Sequence, residues 1–317
     1  MQLYSIRNFN QIYSIHNFNR NYSIRNFNQI YLIHNCGNNN LVAQMIPRLV
    51  TDIDNNMMSW LPLQDEIKSA VFYLNGDGAP GPDGFGGHFY YSFWEVVGSD
   101  VVHSVQEFFQ AGVLAPNVNS NLIVLIPKIT GSQVMGDYRP IALANFQFKI
   151  VTKILADRLA IITMRIISIQ KRGFVRERNI SNCVILAYEV INLIDRRQFG
   201  GNVALKVDIV KAFDTLDWKF LLAVLRQFGF SDVFVDWILA ILESSRLSIL
   251  VNAKAVDLFS CSRGSRQGDP LSPLLFCLAE DVLSCALSDA QSGGTFLLWF
   301  MLVGSLSLRI FSTLMMI

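Results

Sequence analysis

Two short segments of the 317-residue chain carry side chains and spacings that chemistry could use. The first is Leu205-Lys206-Val207-Asp208-Ile209-Val210-Lys211-Ala212-Phe213-Asp214, where apolar residues alternate with Lys206 and Asp208 as in a half-buried strand, setting both on one face. A carboxylate at the end of such a strand is costly to desolvate unless a cation or metal compensates it. Magnesium favours carboxylates that are few, rigid and shared with substrate phosphates. An ordinary structural use stays open: Asp208 paired with Lys206 or Lys211, and Asp214 capping the next helix. The second segment is Arg263-Gly264-Ser265-Arg266-Gln267-Gly268-Asp269-Pro270-Leu271-Ser272-Pro273. Its glycines let backbone approach a nucleotide closely and its arginines offer forks for phosphate, although a plain Gly/Pro-rich turn has the same look.

Composition narrows the classes. Apolar residues make up 51% and charged residues 16%, with 26 Lys and Arg against 25 Asp and Glu, which fits a packed core and excludes a wholly disordered or collagen-like chain. The near-neutral total hides a segregation: residues 128–226 hold 16 Lys and Arg against 8 Asp and Glu, leaving 10 against 17 elsewhere. A basic middle is the footprint of a surface that tracks phosphates, although solvated helix faces give the same count. The five cysteines form no Cys-x-x-Cys pair and the four histidines no His-Glu-x-x-His. Structural zinc, zinc-protease chemistry and a secreted disulfide scaffold are therefore not expected.

The elements that would position these segments begin near Leu41. Phe148, Val151, Ile154, Leu155 and Leu159 recur at helical spacing, and Val184, Ile185, Tyr188, Ile191 and Leu193 suggest a second helix. Alternation over 203–209 predicts a strand running into Asp208. A helix from about Trp218 to Gln227 should stop at Gly229, and another from Asp232 to Glu243 should be capped by Ser231. Strands over 246–251 and 256–259 join at 252–255, and the 263–273 loop opens a helix of roughly four turns near Pro273. This order predicts an α+β palm rather than a parallel doubly wound sheet.

Residues 1–40 have another texture. Tyr4-Ser5-Ile6-Arg7-Asn8-Phe9-Asn10 returns at Tyr13 and Tyr22 with a nine-residue step, and in part at Tyr31. Asn, aromatics and low charge predict a low-complexity tail, disordered or β-prone, read as translated tandem DNA without chemistry of its own. It lacks the continuous apolar run and cleavage site of a signal peptide.

Blocks spread over about residues 45–290 together resemble the reverse transcriptase of plant non-LTR (LINE-type) retrotransposons. In order they are Ala79-Pro80-Gly81-Pro82-Asp83-Gly84-Phe85, Leu125-Ile126-Pro127-Lys128, Asp137-Tyr138-Arg139-Pro140-Ile141, and Lys153-Ile154-Leu155-Ala156-Asp157-Arg158-Leu159. Gln170-Lys171-Arg172-Gly173-Phe174 with Arg178 follows, then the Asp208 block and the loop from Arg266 to Pro273. Each block alone is a weak witness; their shared order is specific.

The resemblance implies a right-hand polymerase architecture of α+β type over 41–290, fingers plus an incomplete palm and no thumb. It implies RNA-directed DNA synthesis by two-metal phosphoryl transfer, with an RNA template, a DNA primer, deoxynucleoside triphosphates and Mg2+. Asp208 matches the catalytic, first metal-binding aspartate, and Ile209 would lend the metal its backbone carbonyl. Phe213 takes the place of the aromatic that crowds a ribose 2′-hydroxyl, with a core phenylalanine as the ordinary alternative. Lys128 and Arg139 match residues that grip the incoming triphosphate. Gln267 and Gly268 match the loop packed on the nucleotide and templating pair, with Arg266 and Gly268 against the template. Asp214 is expected to order the helix after it. No obligate protein partner is implied, and a working copy would be intracellular and nuclear.

The pattern breaks over 291–317. The family's aromatic-Ala-Asp-Asp hairpin is expected there, but the chain reads Phe311-Ser312-Thr313-Leu314-Met315-Met316-Ile317, with no carboxylate after Asp289. Codons for these residues, read two bases later, can spell Phe/Leu-Tyr-Ala-Asp-Asp-Asp. The apolar tail is therefore expected to be out of frame, leaving Asp208 to hold ions that need several oxygen ligands, and no polymerisation by this chain alone is expected. Two competing readings are a non-catalytic nucleic-acid-binding remnant using the basic middle and a membrane anchor over 296–317. The anchor is long enough for the about 20 apolar residues of a span but is interrupted by Arg309, and membrane insertion is not favoured.

Overall fold

The computed structural model describes residues 4–6, 46–193, 203–207, 212–292, 298–303 and 311–316. In chain order its elements are β1 (Tyr4–Ile6), α1 (Asp52–Ser59), α2 (Gln64–Tyr73), α3 (Gly87–Ser92), α4 (Trp94–Ala111), β2 (Ser120–Pro127), β3 (Tyr138–Ala144), α5 (Phe146–Ile166) and α6 (Ser181–Leu193). There follow β4 (Val203–Val207), α7 (Ala212–Thr215), α8 (Trp218–Phe228), α9 (Asp232–Glu243), β5 (Arg246–Val251), β6 (Lys254–Ser260), α10 (Ser272–Ser292), β7 (Leu298–Val303) and β8 (Phe311–Met316). The fold is α+β, and the chain divides into two compact units.

One unit comprises residues 50–159 and 230–273. Its sheet has the order β3-β2-β5-β6, with β2 antiparallel to β3 and parallel to β5, and β5 antiparallel to β6. The β5–β6 connection turns on Asn252 (φ 48°) and Ala253 (φ 61°). Positive φ at both central residues suits the twist of a two-residue hairpin, so β6 starts at Lys254, two residues before the apolar alternation begins. Helix α9 has the bounds its caps announce, with the Ser231 hydroxyl accepting from the Phe234 N–H at 3.4 Å. Phe148, Val151 and Leu155 of α5 are buried, and Phe109 meets Trp237 edge-on at 4.9 Å. Arg158 forks onto both oxygens of Glu66 at 2.7 and 2.8 Å and donates to the carbonyls of Met58 and Trp60. That use is structural: it ties the end of α1 to α2 and α5.

The other unit comprises residues 1–49, 160–229 and 274–317. Its sheet has the order β1-β4-β8-β7, with β4 antiparallel to β8 and parallel to β1. The first repeat thus contributes a three-residue strand, and the later repeats lie outside the described residues. Helix α8 is capped by Asp217, whose carboxylate accepts from the Phe220 N–H at 2.8 Å, and ends on Gly229 in the left-handed conformation (φ 98°). Helix α10 runs for 21 residues, longer than expected, because no glycine or proline interrupts 274–292. Among the described residues no helix is long and apolar enough to cross a membrane, and the tail contributes strands β7 and β8.

Candidate nucleotide and template site

The first unit builds its cationic end from a hairpin. Ile126 of β2 pairs with Arg139 of β3. Lys128 continues the ladder past Pro127, its N–H donating to the Asp137 carbonyl at 2.7 Å. Opposed residues of an antiparallel pair project to one face and alternate residues share it, so Lys128 and Arg139 lie on the same face. Both are exposed, and the Lys128 ammonium donates to the Gly136 carbonyl at 2.8 Å. The turn between them is braced by the Tyr138 hydroxyl donating to Ser132 O at 3.0 Å and by the Ser132 hydroxyl donating to Asp137 at 3.2 Å.

The 263–273 loop lies against the same strand pair. Gly268 is exposed with φ 102°, and a side chain there would begin 3.8 Å from the carbonyl oxygen of Ala142 in β3. Only glycine holds that conformation without strain. Gln267 is half-buried beside it. Arg266, expected at the template, has its guanidinium turned inward instead. It lies 4.3 Å from the Phe148 ring centroid, donates to the Ile241 carbonyl at 3.0 Å and sits 3.8 Å from the Asp269 carboxylate. Ile241 belongs to the last turn of α9, whose unpaired carbonyls attract a cation. Asp269 also accepts from the Leu271 N–H at 2.8 Å, closing the turn into α10. Burial pushes the Asp269 carboxyl up, against the pull of Arg266 and the Leu271 N–H.

A second glycine loop leans on the start of α5. A side chain on Gly81 would begin 2.4 Å from both the backbone nitrogen and Oδ1 of Asn145, so only glycine fits. The Asp83 N–H donates to Asn145 Oδ1 at 3.2 Å, and Asp83 itself accepts from the Phe85 N–H at 3.0 Å. Sequence reasoning used this block only as a family marker. The spacing of Gly81, Asp83 and Gly84 was the available signal of a tight loop, but its partner lies 62 residues away.

In the other unit, Asp208 and Ile209 lie outside the described residues, just beyond β4. On the side away from β1, β4 pairs with β8, with Val207 opposite Ser312 and Lys206 opposite Thr313. That strand carries no carboxylate. One carboxylate and one carbonyl offer fewer oxygen ligands than two magnesium ions take. Among the described residues no group of three or more His, Cys, Asp or Glu could hold a metal. Phe213 sits on α7, buried, its ring 5.0 Å from that of Phe276, and Asp214 beside it is exposed.

Part of the basic middle works inside the protein. Lys171 is fully buried and paired with Glu280 of α10, and burial pushes its ammonium pKa down. Arg178 donates to the carbonyls of Met164, Ile167, Ser168 and Lys171, gathering the end of α5 and the loop after it. Asp281 accepts from the N–H and hydroxyl of Ser168. With Arg158, three cations of the 128–226 count are thus engaged internally. The adjacent acids Glu280 and Asp281 in an otherwise apolar helix were the sequence signal for this buried network.

A family model described as "Reverse transcriptase (RNA-dependent DNA polymerase)" matches residues 126–301. The Transposon TX1 uncharacterized 149 kDa protein of Xenopus laevis is 28% identical over 230 residues, 72% of this chain and 17% of that protein. The Retrovirus-related Pol polyprotein from type-2 retrotransposable element R2DM of Drosophila melanogaster is 28% identical over 209 residues, 65% of this chain and 19% of that protein. The chain thus spans under a fifth of the length of these relatives. Among solved structures, the "Partial Cas6-RT-Cas1--Cas2 complex" matches with a TM-score of 0.43 at 17% identity, covering 83% of this chain and 38% of that one.

Proposed function

We propose a function from the premise that the chain belongs to the reverse transcriptase (RNA-dependent DNA polymerase) family, whose model matches more than half of it. It is the fingers and part of the palm of an RNA-directed DNA polymerase from a non-LTR retrotransposon of the plant LINE type, in a form that holds template and nucleotide without joining them. The observation that carries this reading is the convergence on one hairpin. Lys128 and Arg139 share a face of β2–β3, and Gly268 lies against Ala142 of the same β3. On this reading the two cations take the triphosphate of a deoxynucleotide and the Gln267–Gly268 backbone takes the nucleotide and template. Arg266 acts from behind, as the anchor of that loop.

Chemistry is a separate matter. The family reaction uses Mg2+ held by several carboxylates. Strand β8, paired with β4, carries no carboxylate, and Asp208 alone offers fewer oxygen ligands than two ions take. A chain that worked in a cell would do so in the nucleus.

The test pairs two assays on one preparation with a DNA primer annealed to an RNA template. Fluorescence anisotropy should show binding that weakens with salt and is indifferent to sequence, while primer extension with Mg2+ and all four deoxynucleotides should show no incorporation. Incorporation above a protein-free control would overturn the inactive reading. Failure to bind the duplex would overturn the assignment of the loop as a template contact.

A further inference from the structure

We propose that the 82–85 loop is a second template contact beside the Gln267–Gly268 loop, with the Phe85 ring as the face on which an unpaired template base stacks and Asn145 as the positioning residue that holds the loop there. The inference rests on the reading of the 267–268 loop as a template contact, and it adds a neighbouring surface to that site.

The two loops meet the same elements. A side chain on Gly268 would begin 3.8 Å from the Ala142 carbonyl oxygen, and one on Gly81 would begin 2.6 Å from the Ala144 carbonyl carbon. Two residues of strand span about 7 Å, so the loops reach β3 as neighbours. Both also lean on the start of α5. Asn145, just before the helix, accepts the Asp83 N–H, and Phe148, three residues on, lies under the Arg266 guanidinium.

Asn145 is buried and uses both ends of its carboxamide at this junction. Its Oδ1 accepts from the Asp83 N–H at 3.2 Å, and its Nδ2 donates to the Asn117 carbonyl at 3.0 Å. That carbonyl also accepts from the N–H of Ser120, the first residue of β2, at 3.1 Å. Asn145 thus clasps the loop to the base of the β2–β3 hairpin, where Asn121 stands opposite Ala144. What the clasp holds is turned outward: Pro82, Asp83, Gly84 and Phe85 are all exposed. The Asp83 carboxylate accepts from the Phe85 N–H at 3.0 Å and fixes the backbone direction at Phe85. The Phe85 ring is 46% exposed and is backed by Phe89, with 4.6 Å between centroids. A braced, half-exposed ring is a stacking platform for a nucleobase and reads no sequence.

Fluorescence anisotropy on the full chain tests this with two duplexes of DNA primer and RNA template, one whose template overhangs as a single strand and one that is blunt. Phe85→Ala changes an exposed side chain and leaves the clasp in place. It should weaken binding of the overhanging duplex about fivefold or more, the scale of one lost base stack. Asn145→Ala should give the same loss, and the double variant should bind no worse than either, because both changes remove one contact. On the blunt duplex, which offers no unpaired template base, wild type and variants should bind alike; damage to the fold would weaken both duplexes. Should Asn145→Ala fail to fold, Gly81→Ala, which displaces the loop from Asn145, takes its place with the same loss expected. A change under twofold on the overhanging duplex in either single variant, or equal losses on the two duplexes, would overturn the proposal. Wild-type protein that fails to bind the overhanging duplex would sink the reading of the 267–268 loop and this inference with it. Wild-type binding that Phe85→Ala leaves untouched would sink the inference alone.

Discussion

The guanidinium of Arg266 lies over the ring of Phe148, 4.3 Å from its centroid, and turns its back on the exposed Gly268 two residues later. A positively charged loop has thus spent its central cation on holding its own shape. Arg266→Ala should leave Asp269 buried beside an empty site and lower the unfolding free energy by about 3 kcal/mol, measured by urea titration. Replacing both partners, Arg266→Met with Asp269→Leu, should recover most of that loss, because no unpaired charge then remains. An additive double variant would show that the pair is not an interacting unit.

Three glycines near the site should respond unequally to alanine. At Gly81 the added carbon meets Asn145 at 2.4 Å, so Gly81→Ala should cost about 2 kcal/mol or more through forced displacement of backbone. Gly84 has φ 78° with nothing within 4 Å, and Gly268 has φ 102° with one contact at 3.8 Å. Both should cost about 1 to 2 kcal/mol, from the left-handed backbone alone. Thermal melts of the three variants would rank them, and Gly84→Ala as damaging as Gly81→Ala would contradict the packing argument.

What was legible in the sequence was local. Ser231 ahead of α9, Gly229 behind α8 and the alternation in β5 each act within a few residues, and the structure has those elements at those bounds. What stayed hidden was pairing across long separations. Nothing near Arg266 says that its partners are Phe148 and Ile241, and nothing near Lys171 says that it is buried against Glu280, 109 positions on. The same limit applies to the footprint of charge. Lys128 and Arg139 are exposed, whereas Arg158 and Lys171 are buried and Arg178 is half-buried on backbone carbonyls, and composition cannot separate the two groups. Asp217 as the cap of α8 was within reach, since an acid directly before Trp218 is a helix-start signal.

Asp281 gives a pH signature. Burial raises its carboxyl above the ordinary value of 3.8, against hydrogen bonds from Ser168 and the charge of Lys171. The folded state then binds that proton more tightly than the unfolded state. Its contribution is complete below 3.8 and is lost as pH rises through the raised value. Asp281→Asn has no such proton, so the stability of wild type relative to the variant should fall as pH rises from about 4. Urea midpoints across that rise check the sign. A wild-type advantage that grows with pH would mean that Lys171 holds the carboxylate as an ion.

The central claim, that one face of the β2–β3 hairpin takes the triphosphate of an incoming deoxynucleotide, is tested most directly by titrating a fluorescent deoxynucleoside triphosphate into the protein's complex with template–primer, in wild type and in Lys128→Ala with Arg139→Ala. The account predicts nucleotide affinity lower by about tenfold or more in the double variant, the loss of two charge-assisted contacts, with template–primer affinity nearly unchanged. Unchanged nucleotide affinity in the double variant would contradict it.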